Sequence, residues 1–299
     1  MKYLARNRNN KDIIINESSK TLNFLYDSFL GRIILKIFIS KFMSNIISFY
    51  MNSRLSKHKI HKFVKKNNIN TFEFEAKNYK SYNEFFTRKV IPYKRPISAA
   101  KNLFISPCDG KLSVYKINED LTLNIKDSYY SIDTLVEKNI MEEYKDGLAL
   151  VFRLSTDDYH RYCYIDSGKK TKNHYIKGIF HTVQPISLKH YNYYKTNSRE
   201  YTILNTNNFG KVIDIDIGAM GVGRIRNNHE EYTFKKGEEK GYFEFGGSTI
   251  VLLVKKGTVD IDKDILENSK EGIETIVKYG EAIGNANFIK RMINKIKSI

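Results

Sequence analysis

Two adjacent glycines and a serine interrupt a β-strand pattern near the end of the chain. The stretch reads Phe243-Glu244-Phe245-Gly246-Gly247-Ser248-Thr249-Ile250-Val251. Glycine inside a strand costs conformational entropy and adds no side chain to the packing, so a structural or chemical need must offset that cost. Three interpretations meet this condition: a β-bulge or turn, a serine nucleophile, and a backbone that reacts with its own serine.

The second and third interpretations assign different chemistry to Ser248. As a hydrolase nucleophile, Ser248 would use His160 as its base and Asp109 to orient that base. In self-cleavage, Ser248 would attack the carbonyl of Gly247, where the absence of a side chain leaves the approach open and permits unusual backbone angles. The ester formed can eliminate to dehydroalanine, which hydrolyses to a pyruvoyl group. Spacing alone leaves these interpretations open.

Positive charge is concentrated at the start of the chain. Residues 1–100 hold 20 Lys+Arg and 6 Asp+Glu, a net charge of +14, out of +17 for all 299 residues. The composition is rich in Lys, Ile and Asn throughout, but a uniform bias would spread lysine evenly. The asymmetry therefore indicates an acidic partner for this region, either nucleic acid or an anionic membrane surface.

Residues 20–66 show the periodicity of helices. Their apolar residues recur at helical spacing and basic residues punctuate the pattern. This predicts either helices packed on their own core or amphipathic helices in a membrane interface. The longest uncharged stretch here, Phe42–Ser53, is shorter than the ~20 residues that span a bilayer, and residues 1–12 do not resemble a signal peptide.

Beyond about residue 100 the pattern changes to short apolar or alternating runs between turn signals, which predicts a β-rich core. We therefore expect an α+β fold with two regions, a basic helical region at 1–98 and a β-rich core at 99–299. The predicted strands are Leu112–Ile117, Leu148–Leu154, Ile176–Val183, Tyr201–Leu204, Val212–Ile217 and Thr249–Val254.

Metal and disulfide chemistry are not indicated. None of the seven histidines forms a pair with metal-ligand spacing, and Cys108 and Cys163 do not supply one. Two cysteines are too few for a disulfide framework, which favours a reducing compartment. The glycines of Gly218–Gly223 lack the order of a dinucleotide fingerprint.

Eight short motifs, taken in order, resemble the phosphatidylserine decarboxylase proenzyme family over roughly residues 80–285. Most of them are weak singly, but their order and the final Gly-Ser-Thr are highly specific. They are Phe-Phe-Thr-Arg (85–88), Arg-Pro-Ile (95–97), Ser-Pro-Cys-Asp-Gly (106–110), Asp-Tyr-His-Arg (158–161), Asn-Ser-Arg-Glu (197–200), Gly-Ala-Met-Gly-Val-Gly (218–223), Lys-Gly-Glu-Glu-Lys-Gly-Tyr-Phe-Glu-Phe-Gly-Gly-Ser-Thr (236–249) and Tyr-Gly-Glu-Ala-Ile-Gly (279–284).

The resemblance implies a self-cleaving lyase. The chain would be cut between Gly247 and Ser248 into a β chain (1–247) and an α chain (248–299), and Ser248 would become a covalent pyruvoyl cofactor. That group would form a Schiff base with phosphatidylserine and release CO₂, giving phosphatidylethanolamine. Asp109 and His160 match the family residues that support serine activation, and His160 is our first choice to reprotonate the product.

The resemblance also implies where the enzyme works. A substrate with two acyl chains and a basic N-terminal region together predict a peripheral protein on the cytoplasmic face of the cell membrane, with the anionic lipid surface as partner and no nucleic acid. Many relatives have a second histidine three residues after the first, where this chain has Cys163. His181 is a candidate support for His160 on sequence position only.

Two other functions are consistent with the residues alone. A serine hydrolase with the set Ser248, His160 and Asp109 would keep an intact chain. A non-catalytic basic protein would bind nucleic acid or membrane through residues 1–66 and carry no pyruvoyl group.

Overall fold

The computed structural model describes residues 2–9, 11–125, 128–132, 135–136, 138–221 and 224–287. Among these residues it contains nineteen strands, which are β1 (Lys2–Asn7), β2 (Ile13–Glu17), β3 (Leu103–Ile105), β4 (Gly110–Lys116), β5 (Thr122–Ile125), β6 (Ser128–Ser131), β7 (Leu148–Leu154), β8 (Arg161–Cys163), β9 (Gly168–Lys170), β10 (His174–Ile176), β11 (Arg199–Thr206), β12 (Gly210–Gly221), β13 (Ile225–Asn227), β14 (Tyr232–Phe234), β15 (Glu239–Phe243), β16 (Gly246–Val254), β17 (Val259–Ile261), β18 (Glu274–Val277) and β19 (Ala282–Ala286).

Helices are shorter and lie mostly at the start of the chain. In the described ranges the α-helices are α1 (Lys20–Asp27), α2 (Phe29–Phe38), α3 (Lys41–Asn52), α4 (Lys59–Lys66), α5 (Tyr82–Phe86), α6 (Lys138–Glu142), α7 (Pro185–Leu188), α8 (Tyr193–Thr196) and α9 (Lys263–Lys270). Single 3₁₀ turns occupy Arg54–His58, Thr71–Glu73 and Pro92–Lys94. The predicted α+β class with a β-rich core is confirmed.

One large sheet dominates the described part of the chain. Its strands lie in the order β14-β9-β11-β12-β16-β7-β4-β18-β1-β2, and β10 also pairs with β11. The strands are antiparallel except at the contact of β1 with β18, which is parallel. Three smaller sheets, β13-β15-β8, β17-β19-β3 and β5-β6, complete the strand pairing among the described residues.

The central strands of the large sheet are covered on both faces, which explains their nearly continuous apolar runs. Along β16, Ile250 and Leu252 belong to one core cluster, whereas Val251 and Leu253 belong to a cluster on the opposite face. Successive side chains of a strand point to opposite faces. Ser248 therefore shares the face of Ile250, and its ladder partner on β7, Leu154, lies in the same cluster.

The helical prediction for residues 20–66 is confirmed, but the helix is broken into four. Serines begin the first three segments: the hydroxyls of Ser19, Ser28 and Ser40 each accept a backbone N–H from their own helix. At Gly31 a Cβ atom would lie 1.9 Å from the carbonyl oxygen of Phe24, so α1 and α2 meet at a point where only glycine fits.

The predicted strand Ile176–Val183 is wrong beyond its first residue. β10 ends at Ile176, and the following backbone groups bind elsewhere: Phe180 N–H donates to the Ile39 carbonyl at 3.1 Å, and His181 N–H donates to Asn197 Oδ1 at 2.9 Å. The other five predicted strands lie within β4, β7, β11, β12 and β16, apart from Ile117, which follows β4.

Strands β1 and β2 are not indicated by the sequence pattern. They form a hairpin, and β1 joins the large sheet beside β18, with Ala5 opposite Glu274. The predicted division between residues 98 and 99 therefore separates segments that share a sheet. Residues 288–299 of the predicted α chain lie outside the described residues, as do Val222 and Gly223.

Candidate active site

The Gly-Gly-Ser stretch begins β16 at an irregular point of the large sheet. The ladder between β12 and β16 shifts register between Gly218 and Gly221. Gly246 has φ of +147°, a conformation that side chains rarely adopt, and a Cβ atom at Gly247 would lie 2.9 Å from Val183 Cγ2. Both glycines are therefore required by backbone angle or by close contact. The bulge expected at this point of the sequence is present.

Ser248 is fully buried, and its hydroxyl has no hydrogen-bond partner among the residues that the structure describes. Leaving a buried polar group without a partner costs about 1–3 kcal/mol, so such groups are uncommon in folded proteins and frequently have a catalytic role. The next carbonyl upstream belongs to Gly247. The serine therefore has a free hydroxyl directly after the peptide bond that it would attack.

His160 is also fully buried, six residues after the end of β7. Its Nδ1 lies 2.9 Å from the carbonyl oxygen of Asp158. Because a carbonyl only accepts hydrogen bonds, Nδ1 carries the proton and Nε2 presents its lone pair. Nε2 has no partner in the described part of the chain. Burial lowers the pKa of His160 to about 4, although the Asp158 charge opposes this, so the ring is a neutral base at physiological pH.

Backbone and ring contacts place His160 at the same end of the sheet as Ser248. The His160 carbonyl accepts the N–H of Phe243, the last residue of β15, at 2.9 Å. Its ring packs on Phe86 with ring centres 4.2 Å apart, and Phe86 also contacts Phe245, the residue before Gly246. Two buried polar atoms without partners, Ser248 Oγ and His160 Nε2, thus belong to neighbouring segments behind a layer of aromatic rings.

Asp109 is held by a different set of residues. Arg95 donates to both of its carboxylate oxygens, at 2.9 Å from Nε to Oδ1 and 2.8 Å from Nη2 to Oδ2, and the Tyr279 N–H donates at 2.8 Å. Burial alone would raise the pKa of Asp109, but the charge of Lys278 and the bonds from Arg95 hold it below its ordinary value. Three motifs far apart in sequence therefore meet at this carboxylate.

This arrangement corrects the hydrolase triad. That hypothesis requires Asp109 to accept a hydrogen bond from His160 Nδ1–H, but this N–H donates to the Asp158 carbonyl. The described partners of Asp109 are Arg95, Lys278 and the Tyr279 backbone. The sequence motifs suggested that Asp109 and His160 act together. They did not indicate that Arg95 would bind the Asp109 carboxylate.

Replacing Asp109 by asparagine is expected to lower the free energy of unfolding by about 1–3 kcal/mol, because charge-assisted hydrogen bonds from Arg95 are lost while Arg95 Nη1 keeps its bond to Glu73 at 2.9 Å. The native state holds the pKa of Asp109 low, so its contribution is present above pH 3.8 and lost as the pH falls further. Urea unfolding at neutral and acid pH measures both effects, with Asp146→Asn, at an exposed ion pair, as the control. Equal stability of the Asp109 variant and wild type at neutral pH would contradict the assignment.

His181 lies on the other side of the Gly-Gly-Ser stretch. Its Nδ1 is 3.1 Å from the Tyr26 hydroxyl, and its ring stacks on Tyr191 at 4.2 Å. Burial lowers the pKa of His181 to about 4. Because the Tyr26 hydroxyl accepts the Thr182 N–H at 3.0 Å, it is free to donate its own proton to the imidazole. The His181 ring therefore ties this segment to helix α1.

Asn197 is a positioning residue that sequence reasoning did not single out, although it begins one of the motifs. It is fully buried, and its Nδ2 donates to the carbonyls of His181 and Gly218, at 2.9 Å each. Gly218 is the ladder partner of Ser248 on β12. Asn197 thus links β12, which pairs with Ser248, to the segment that follows His181. That segment places Val183 against Gly247.

Neither cysteine supplies the base that a second histidine would provide. Cys108 and Cys163 are both buried and unpaired. Burial raises the pKa of the Cys163 thiol to about 12, so it stays protonated at neutral pH. Among the described residues there is also no cluster of His, Cys, Asp and Glu that could hold a metal ion.

The arrangement fits a self-processing β-rich protein better than a hydrolase. A hydrolase triad needs Asp109 to orient His160, but Asp109 is held by Arg95 and the Tyr279 N–H. The carbonyl of Gly247, in contrast, is bonded to the serine's own nitrogen and needs no entry path.

Comparison with known proteins identifies the family. The sequence model described as phosphatidylserine decarboxylase matches residues 82–285. The chain is 50% identical over 285 residues to phosphatidylserine decarboxylase proenzyme 2 of Clostridium acetobutylicum, covering 94% of this chain and 98% of that protein. It is 43% identical over 288 residues to the phosphatidylserine decarboxylase proenzyme of Clostridium botulinum strain 657, covering 93% and 98%.

A third relative extends the comparison to another species. The phosphatidylserine decarboxylase proenzyme of Clostridium perfringens strain ATCC 13124 is 41% identical over 278 residues, covering 89% of this chain and 93% of that protein. The chain therefore belongs to the phosphatidylserine decarboxylase family, as the order of its motifs predicted.

Proposed function

We propose that this chain is a phosphatidylserine decarboxylase proenzyme that cuts itself between Gly247 and Ser248. The products would be a β chain of residues 1–247 and an α chain of residues 248–299 that begins with a pyruvoyl group. Family membership gives the reaction class, a lyase acting on phosphatidylserine. The observation that supports self-cleavage is the buried Ser248 hydroxyl without a described partner, directly after two glycines that the fold requires.

Self-cleavage requires a base and a rearrangement of bonds. His160 Nε2 takes the proton of Ser248 Oγ, which bonds to the carbonyl carbon of Gly247. The Gly247–Ser248 C–N bond then breaks as the proton passes from His160 to the freed Ser248 nitrogen. Loss of the Ser248 Cα proton then breaks the Cβ–Oγ bond and releases the Gly247 carboxylate. Water adds to the remaining dehydroalanine, and ammonia leaves.

The residues present fit a small ketone at position 248. The Ser248 side chain is already enclosed without a described hydrogen-bond partner, so a group of similar size and no charge loses no bond there. When formed, the pyruvoyl ketone supplies the electron sink for the pair left behind as CO₂ departs. His160 then serves as the proton carrier for the substrate Cα, because its Nε2, which has no partner among the described residues, can take up a proton and pass it on.

The intact mass of the purified protein tests this proposal. We expect two chains, the smaller one lighter by one ammonia than the free peptide of residues 248–299. An uncut protein that reacts with a serine-directed probe would instead support the hydrolase. Lipid or nucleic-acid binding by an uncut protein without a pyruvoyl group would support the non-catalytic alternative.

We also propose that helices α1–α3 dock on the cytoplasmic face of an anionic cell membrane. Their outer side exposes large apolar residues: Phe29, Phe42 and Phe49 are 76%, 72% and 84% exposed. Arg32 and Lys36 lie among them in sequence, and the charge of residues 1–100 favours anionic lipid. Within the described residues no single helix is long and apolar enough to cross a bilayer, whereas α2 and α3 together qualify but are bent by 64°.

Replacing Phe42 and Phe49 together by serine is expected to weaken binding to anionic vesicles by about 10²–10⁴-fold, because each buried phenyl ring contributes about 1.5–3 kcal/mol. Vesicle sedimentation at low and high salt measures the change, and Tyr93→Ser, an equally exposed aromatic elsewhere, is the control. Deleting residues 1–66 is unsuitable, because it removes β1 and β2 from the large sheet. Undiminished vesicle binding by the double variant would rule out docking through this face.

A further inference from the structure

A groove of about 330 Å³ opens between helix α3 and the strands next to the site. Helix α3 contributes Lys41 and Asn45 to one wall, and Ser198 and Arg224 contribute to the other. These walls mix polar and apolar surface and include three basic side chains, Lys41, Arg224 and Arg226, whereas the outer side of α3 exposes Phe42 and Phe49. The groove is therefore a candidate ligand-binding site that is separate from the outer side of α3.

Two cations in this groove lack an acidic partner. Arg224 Nη2 donates to Asn45 Oδ1 at 3.0 Å and forms no ion pair with a described residue. Lys41 likewise forms no ion pair with a described residue. Arg226 is paired with Glu244 at 2.7 Å, and the Glu200 carboxylate, which accepts from the neutral Asn227 amide at 2.6 Å, offsets one of the two cations. The charge left over is positive, which favours an anion.

The groove is also next to the residues that hold Ser248. Its lining includes Phe180 and Ser198, which adjoin His181 and Asn197 in sequence. The Ser198 carbonyl accepts the N–H of Gly218, the ladder partner of Ser248, at 3.0 Å. An anion bound here would lie between the polar side of α3, which carries Lys41 and Asn45, and the strand that leads to the reacting residue.

We propose that this groove binds the phosphodiester of the phosphatidylserine head group, with Arg224 and Lys41 as its ligands. A phosphodiester is a monoanion at neutral pH, and its two free oxygens match the fork of a guanidinium. The position also suits a lipid, because acyl chains along α3 would leave the head group at the groove. This inference rests on the proposed function, since it assigns the substrate of the same site.

Replacing Arg224 by glutamine is expected to raise KM for phosphatidylserine in neutral detergent micelles about 10-fold, since charge-assisted hydrogen bonds to the phosphate are lost. The kcat value and self-cleavage should stay within about twofold, because the group acts on binding and not on Ser248. Lys41→Gln should act in the same direction, and Arg224→Lys should restore part of the affinity. Lys263→Gln, an exposed lysine on α9, is the charge-matched control.

Soluble competitors identify the source of the anion. Glycerophosphoserine should inhibit the wild type and lose its effect in Arg224→Gln, whereas inorganic phosphate should be a much weaker inhibitor. Equal inhibition by inorganic phosphate, or a KM that Arg224→Gln leaves unchanged, would overturn the proposal. A failure of the proposed function looks different, because the wild type itself would then be uncut and release no CO₂.

Discussion

Replacing Ser248 by alanine is expected to leave a single uncut chain of 35.0 kDa and to reduce decarboxylation to background. Alanine lacks the oxygen that attacks Gly247, and no other hydroxyl can generate a ketone at position 248. The fold should survive, because the hydroxyl has no described hydrogen bond to lose, so its removal leaves no polar group unpaired. Intact mass and denaturing electrophoresis of wild type and variant, side by side, measure the outcome.

A second buried serine provides the control for Ser248. Ser48 lies on helix α3 and is 3% exposed, so Ser48→Ala makes the same chemical change away from the cleavage point. We expect Ser48→Ala to mature like the wild type. Two chains in the Ser248→Ala sample would contradict self-cleavage through this hydroxyl.

Replacing His160 by alanine is expected to slow self-cleavage by about 10²–10⁴-fold, the contribution typical of a positioned general base. The pH dependence has a defined sign. Because burial lowers the pKa of His160 to about 4, the reactive neutral form prevails above that value, and the wild-type rate should fall as the pH drops through about 4. A time course of chain cleavage after a short pulse of cell-free synthesis, diluted into buffers of several pH values, measures both effects.

The matched control for His160 is His174→Ala, which removes an exposed imidazole that stacks on Tyr201. Its cleavage rate should equal that of the wild type. Normal maturation of His160→Ala would remove this residue from serine activation. A rate that falls near pH 6.5 in the wild type would instead identify a solvent-exposed histidine as the base.

Sequence reasoning succeeded where local pattern determines structure. The Gly246-Gly247-Ser248 interruption identified the irregular start of β16, and the apolar runs located the central strands. Serine caps could also have predicted the breaks in the N-terminal helices, because Ser19, Ser28 and Ser40 each begin one.

Long-range partners could not be predicted in the same way. Asp109 binds Arg95 and the Tyr279 backbone, which lie 14 and 170 residues away, and no periodicity links such positions. The parallel pairing of β1 with β18 joins the two ends of the chain for the same reason. His160 was found as a candidate from its motif, but its tautomer depends on a carbonyl that only the folded backbone brings into place.

The central position of β16 has a consequence for the mature protein. The proposed cut frees the end of a strand that is hydrogen-bonded to β12 on one side and to β7 on the other, and β18 and β19 of the same α chain pair with β4 and β3. Two polypeptides would thus share one interleaved sheet without a covalent link between them. Before the cut, folding involves one chain and does not depend on its concentration. After the cut, two chains must meet, so refolding from a dilute denatured state would be efficient for the proenzyme only. The lifetime of the mature enzyme would therefore be set by its rate of unfolding, because the unfolded chains would not readily reassemble.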